Sequence, residues 1–269
     1  MSKKPLPDIA GFEQIPFRLE GETRTVYRSG EGPAVIVMSE VPGITPQVAR
    51  FAQRVADAGF TVFMPQLFGT PLQPLSPASV AKTLARVCIS REFRLLAAHQ
   101  SSPIVDWLRA LARQVHGECG GPGVGAVGMC LTGNFALAMM LDAPVIAPVL
   151  SQPSLPGGLS FEQRSGLHAS KLELAAAHEK IKQQGARILG LRFIGDPMCR
   201  GERFERLRQE FGDAFEGIEI EDKHANPRAM KPAHSVVTTH LIDKEGEPTR
   251  AALDRVIAFL GEQLKRPAH

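Results

Sequence analysis

Short, unbroken apolar runs alternate along the chain with longer stretches whose apolar residues recur every three or four positions. Residues 34–38 (Ala-Val-Ile-Val-Met) contain no polar position, which suits a strand covered on both faces of a sheet. After the loop at Pro42 and Gly43, Thr45 and Pro46 read as the N-cap and first residue of a helix. Val48, Phe51, Ala52 and Val55 give that helix one apolar face, and Gly59 is a natural stop. Phe60 to Met64 reads as the next strand, completing a strand–helix–strand unit with parallel strands and a right-handed crossover.

The alternation continues to the end of the chain. Ser102 and Pro103 open a helix with Ile104, Trp107, Leu108 and Leu111 on one face. A Gly-rich strand is predicted over 123–128, a buried helix over 131–141 and a strand over 144–150. Then come a helix over 171–183, a strand over 188–194, a helix over 202–210, a strand over 216–221 and a closing helix through Leu253, Val256, Ile257, Leu260 and Leu264. The expectation is a single α/β domain over residues 1–269 built on a mostly parallel sheet. Two connections exceed what a packed sheet needs, at about 66–101 (with a helix near 78–90) and 151–170. Both follow strands, so both are expected to line a cleft at the carboxyl edge of the sheet.

Composition adds mainly exclusions. With 43% apolar and 22% charged residues, the chain is ordinary for a folded domain. A net charge of +3, scattered along the chain, leaves no nucleic-acid footprint. No window approaches the roughly 18 apolar residues of a membrane span, so no membrane partner is expected. The basic start lacks an apolar stretch behind it, so cytoplasmic residence is expected. Cys88, Cys119, Cys130 and Cys199 form no CxxC pair and read as reduced thiols. No spacing suggests a metal site, and no cofactor is implied.

The sharpest chemical feature is Gly128-Met129-Cys130-Leu131-Thr132-Gly133, where a predicted strand meets a predicted helix. A nucleophile elbow needs this context: a tight turn lifts the side chain above the sheet edge, and small neighbours let helix and strand approach. A helix N-terminus beside the sulfur favours thiolate, the reactive form. The same hexapeptide also suits a buried, inert thiol, so the choice rests on the rest of the chain. Asp196, in Gly195-Asp196-Pro197, follows the strand 188–194, and His234 lies in the loop before the last helix. Nucleophile, acid and histidine thus occur in the order of an α/β-hydrolase. Asp196 also suits an ordinary turn, and His224 and His240 compete with His234. Glu40 follows the strand 34–38 and would face the same crevice, although a solvated loop carboxylate fits it as well.

Taken together these motifs resemble the dienelactone hydrolase family of α/β-hydrolases over roughly residues 30 to 264. The resemblance is carried by Gly128-Met129-Cys130, Ser39-Glu40-Val41-Pro42-Gly43, Asp196 and His234-Ser235. It implies an α/β-hydrolase fold, with helices on both faces of the sheet, and a cysteine hydrolase of activated esters or lactones working through an acyl-cysteine. By the same resemblance Cys130 is the nucleophile, His234 the acid and base, and Asp196 its orienting partner. Glu40 would contact the resting thiol, and the N–H groups of Val41 and Leu131 would form the oxyanion hole. The implied partner is a small-molecule ester or lactone, and the chain would act as a monomer or homodimer. A thiol leaves at a pKa of ~8.5, far below an alkoxide, so the intermediate favours substrates whose own leaving group is activated.

The chain departs from the family pattern at three places. Thr132 stands where Gly is common, Thr238 stands where dienelactone-cleaving members carry Arg, and Tyr27 is the single tyrosine. Arg91 and Arg94 could supply an anion clamp instead, though an ion pair with Glu92 on a solvated face explains them too. An amidotransferase would place a His-x-Glu late in the chain, where this one has His234-Ser235-Val236. A redox sensor or small-molecule binder on the same scaffold would use the same thiol without turnover.

Overall fold

The computed structural model describes residues 6–89, 102–154 and 165–265. Eight strands form one sheet: β1 (Glu13–Leu19), β2 (Glu22–Ser29), β3 (Ala34–Met38), β4 (Thr61–Pro65), β5 (Val124–Met129), β6 (Val145–Ser151), β7 (Ile188–Phe193) and β8 (Phe215–Ile220). Their spatial order is β1-β2-β4-β3-β5-β6-β7-β8. Pairing is parallel from β4 through β8 and antiparallel for β1–β2 and β2–β4. The described helices are α1 (Pro46–Asp57), α2 (Pro77–Ile89), α3 (Pro103–Cys119), α4 (Gly133–Ala138), α5 (Lys171–Gln184), α6 (Gly201–Phe211) and α7 (Pro248–Leu264), and they cover both faces of the sheet. This is the α/β-hydrolase fold that the resemblance implied.

Most elements follow from the local signals. The Thr45 hydroxyl accepts the Val48 N–H at 3.3 Å and caps α1. Ser102 caps α3 in the same way, and Ser170 with Glu173 forms a capping box at α5. The central strands β3, β4, β5, β6 and β7 are buried at every position, as their largely apolar runs predict. Gly125 in β5 makes room for α7, because a Cβ there would lie 2.8 Å from the Leu260 side chain.

Two features differ from the sequence reading. The hairpin β1–β2 was absent from it. Its two-residue turn, Glu20 (φ 48°) and Gly21 (φ 85°), has both residues in the left-handed region that a twisted hairpin requires. The helix expected over 131–141 is instead a single 3₁₀ turn, Cys130–Thr132, followed by the six-residue α4. Beyond Ala138 the chain tightens into i→i−3 turns, Met140 N–H to the Leu137 carbonyl and Leu141 N–H to the Ala138 carbonyl, before Asp142 turns left-handed (φ 49°) ahead of β6.

Candidate active site

The five parallel strand ends that matter here, those of β3, β5, β6, β7 and β8, open onto one edge of the sheet. Cys130 sits at the end of β5 with φ 56°, a conformation that costs a non-glycine residue energy and marks a tight strand-to-helix turn. Gly128 makes the turn possible: a Cβ there would lie 2.0 Å from the Thr132 carbonyl oxygen. Thr132 is more than a tolerated replacement for Gly. Its hydroxyl accepts the Met129 N–H at 2.8 Å and has three carbonyls in donating range, Met129 at 2.9 Å within the elbow and Met38 at 3.1 Å and Ser39 at 3.3 Å at the end of β3. The side chain therefore straps the elbow to the neighbouring strand. Gly133 supplies the close approach, with its virtual Cβ 2.9 Å from Pro153 Cα.

Asp196 and His234 meet on this edge. His234 Nδ1 is 2.6 Å from Asp196 Oδ2, and both residues are buried. The Nε2 atom is buried without a well-aligned hydrogen-bond partner among the described residues. Burial by itself would lower the His234 pKa, but Cys130 and Asp196, by charge and hydrogen bonding, hold it well above the ordinary imidazole value. Of the competing histidines, His224 lies in a 3₁₀ turn after β8, outside the pocket that holds Cys130.

His240 does border that pocket, in a different capacity. Its Nε2 faces the Met230 carbonyl at 2.7 Å, while Nδ1 accepts the N–H groups of Ser235 at 3.1 Å and His234 at 3.4 Å. This pattern requires the neutral tautomer with the proton on Nε2. Burial lowers the His240 pKa and favours that form, against the opposing pull of the Met230 carbonyl and the Glu40 charge.

Glu40 is 4% exposed, so it is not a solvated loop carboxylate. Oε2 accepts the Ser235 hydroxyl at 2.6 Å and the Gln152 amide at 3.3 Å, while Oε1 accepts the Thr238 hydroxyl at 2.6 Å. The expected contact with the resting thiol is not among these bonds. The Cys130 sulfur instead lies 3.0 Å from the Ser154 hydroxyl oxygen. Thr238, one of the departures from the resemblance, is buried and turned to Glu40.

Cys130, His234 and Glu40 line one cavity of about 160 Å³. Its walls include Val41, Leu75, Val80, Met198 and Pro232, with Lys231 as a described cation. Leu75 and Val80 come from the long connection after β4, and Ser154 from the one after β6, so both connections contribute walls. Arg91 and Arg94 lie outside the described residues. Val41 borders the same cavity as Cys130, and Leu131 follows Cys130 in the first turn, where N–H groups lack intrahelical acceptors. A second, more open hollow of about 700 Å³ adjoins the cavity across Met230, Lys231, Pro232 and His240. Cys199 is buried near this centre, and burial pushes its thiol pKa up to about 12. Among the described residues no cluster of His, Cys, Asp or Glu is arranged to hold a metal ion, and no helix is long and apolar enough to cross a membrane.

The sequence reading missed Gln152, Ser154 and the support given by His240. The first two were within reach of it, since they directly follow β6 at the same sheet edge as the residues it did select.

Comparison with known proteins agrees with this architecture. The family model described as the dienelactone hydrolase family matches residues 22–221. A Saccharomyces cerevisiae protein, provisionally described as a carboxymethylenebutenolidase, is 27% identical over 139 residues. That match covers 52% of this chain and 44% of the yeast protein, so the chain spans under half the length of this curated relative. A provisionally assigned dienelactone hydrolase from Klebsiella pneumoniae superposes with a TM-score of 0.63 at 18% identity, covering 93% of this chain and 98% of its own. The dienelactone hydrolase-like promiscuous phosphotriesterase P91, from metagenomic libraries, superposes with a TM-score of 0.58 at 18% identity, covering 94% and 98%. At these identities the superpositions speak for the fold, and the family model, matching well over half of the chain, speaks for descent. The chain belongs to the dienelactone hydrolase family of hydrolases.

Proposed function

We propose that this protein hydrolyses activated esters or lactones through an acyl-cysteine formed on Cys130. The observation that carries the reading is the shared cavity: the Cys130 sulfur and the His234 ring border it together, and the far nitrogen of that ring is 2.6 Å from Asp196. A His234 pKa held well above normal by Cys130 and Asp196 fits a thiolate–imidazolium pair at rest.

The reaction then runs in two balanced halves. The thiolate attacks the carbonyl carbon, and the new oxyanion is received by the N–H groups of Val41 and Leu131. One such donor is typically worth about 3 kcal/mol. As the tetrahedral species collapses, the carbon–oxygen bond to the leaving group breaks, and His234 gives that group its Nε2 proton. Neutral His234 next takes a proton from water, whose oxygen attacks the acyl-cysteine. Collapse of the second tetrahedral species releases the acid, restoring thiolate and imidazolium. Asp196 keeps the ring oriented and balances its charge throughout. Glu40 acts one step back, holding Ser235 and Thr238 and so the loop that carries His234.

The apolar walls favour a substrate whose bulk is apolar, and Thr238, engaged with Glu40, offers no cation to a carboxylate. The test is a panel of p-nitrophenyl acetate, enol-lactones and thioesters against wild type and Cys130→Ala. The variant is expected to keep its fold and lose turnover by about 10⁴-fold or more. Undiminished turnover would remove Cys130 from the reaction.

A further inference from the structure

The loop after β6 is built more firmly than a cavity wall requires. Ser154 is 2% exposed, its N–H donates to the Cys130 carbonyl at 3.1 Å, and its carbonyl accepts the Asn134 amide at 3.0 Å. The same Asn134 amide nitrogen is 3.1 Å from the Leu131 carbonyl. Behind it, the buried Arg203 guanidinium donates to Asn134 Oδ1 at 3.1 Å and to the Pro153 carbonyl at 2.8 Å. Every one of these bonds fixes the backbone around Ser154 relative to the elbow. Among the described residues they leave its hydroxyl one partner, the Cys130 sulfur, 3.0 Å away.

We propose that Ser154 is a catalytic residue whose hydroxyl donates to the Cys130 sulfur, holding it as thiolate in a parked position before substrate binds. Two observations favour donation in this direction. The Asn134 and Arg203 bonds already hold the Ser154 backbone, so the hydroxyl is not needed to fix the loop. Cys130 also raises the His234 pKa by charge and hydrogen bonding, and a sulfur that is negative beside an imidazolium can only accept from the hydroxyl. On attack the sulfur leaves the hydroxyl for the substrate carbon, and it returns when the acyl group is hydrolysed.

The proposal rests on Cys130 as the nucleophile, so its test reads the sulfur directly rather than turnover. The probe is the ultraviolet absorbance of the thiolate at neutral pH, taken as the difference between each protein and the same protein carrying Cys130→Ala. Ser154→Ala is expected to lower the thiolate-to-thiol ratio by about tenfold, the equivalent of about 1.4 kcal/mol for a hydrogen bond to a charged group. Ser154→Thr, which keeps the hydroxyl, should stay near wild type. Ser154→Gly, a second hydroxyl-free variant, should match Ser154→Ala and serves in its place if that protein is insoluble. An unchanged thiolate signal in the hydroxyl-free variants would overturn the proposal while leaving the nucleophile assignment intact. Retained turnover in Cys130→Ala would overturn the nucleophile assignment instead, without altering what the absorbance says of Ser154.

Discussion

Gly128→Ala is the sharpest mechanical test of the elbow, because the added atom has a known place to land. The new Cβ would lie 2.0 Å from the Thr132 carbonyl oxygen, 2.5 Å from its carbon and 2.8 Å from the Gly133 nitrogen. All three are backbone atoms, so no side chain can rotate away. Relief to an ordinary contact moves the turn by about 1 Å or more, and the turn carries Cys130. Displacements of about 1 Å at a reacting atom typically cost about a hundredfold in rate. Overpacking of this kind also costs about 1–3 kcal/mol of stability. Gly128→Ala is therefore expected to lose kcat by about a hundredfold on p-nitrophenyl acetate, together with a fall of several degrees in Tm. Gly117→Ala is the control: that glycine is exposed on α3 and a Cβ there meets nothing within 4 Å. The control should keep full activity and gain up to about 1 kcal/mol of stability from helix propensity. Full activity in Gly128→Ala would refute the claim that the elbow is held by contact between residues 128 and 132.

His240→Ala should reduce kcat less than His234→Ala but cost about 1–3 kcal/mol of stability, since it strands the buried N–H groups of His234 and Ser235. Urea unfolding across pH and steady-state assays on both variants would check this. The two histidines also give stability opposite pH dependences. His234, with its pKa raised in the folded state, contributes stability that is full below the ordinary imidazole value and is lost as pH rises through the folded value. His240, with its pKa lowered, contributes stability present above the ordinary value and lost as pH falls through the folded one. Urea midpoints are thus expected to peak between these limits, and His240→Phe should flatten the acid side only. Iodoacetamide at neutral pH should label Cys130 and spare Cys199, whose thiol burial holds at about 12; peptide mass spectrometry showing early Cys199 labelling would contradict that burial.

The parallel half of the sheet was legible because a strand buried on both faces leaves a near-continuous apolar signature, unbroken in residues 34–38 and interrupted in 188–193 by Arg192, which pairs with Glu219. Cys130 and Asp196 were legible as candidates for a related reason: in a parallel sheet the residues just past each strand's carboxyl end face one common edge, so locating strands locates candidates. His234, well beyond the end of β8, was legible only from its place in the loop before the last helix. The hairpin β1–β2 escaped because its alternation is interrupted by Pro16 and its burial is partial, leaving Phe17, Val26 and Tyr27 as buried anchors among exposed neighbours. The shortened helix after Cys130 escaped because its apolar residues are buried whether they are helical or not, so composition carried no stop signal. The partners of Glu40 could not be read from the sequence at all: Ser235 and Thr238 lie 195 and 198 residues away along the chain.

The polar side chains behind the site fall into two frames. One holds the elbow: Thr132 ties it to β3, and Asn134 with Arg203 ties it to the loop after β6. The other holds the histidine: His240 takes the N–H groups of residues 234 and 235, while Glu40 takes the hydroxyls of Ser235 and Thr238. They meet in three residues. Gln152, with a left-handed φ of 37°, sends its amide to Glu40 and receives the Val236 N–H, while Ser154 faces the sulfur. Pro153 between them packs on Gly133 and accepts from Arg203. The position of this stretch follows from topology, since β6 lies between β5, which carries the nucleophile, and β7, which carries Asp196. A residue in either frame acts on sulfur or imidazole alone, whereas the stretch 152–154 acts on both. A strained backbone at Gln152 is the cost of serving two frames from three residues, and it is the part of the site where substitutions should be least additive.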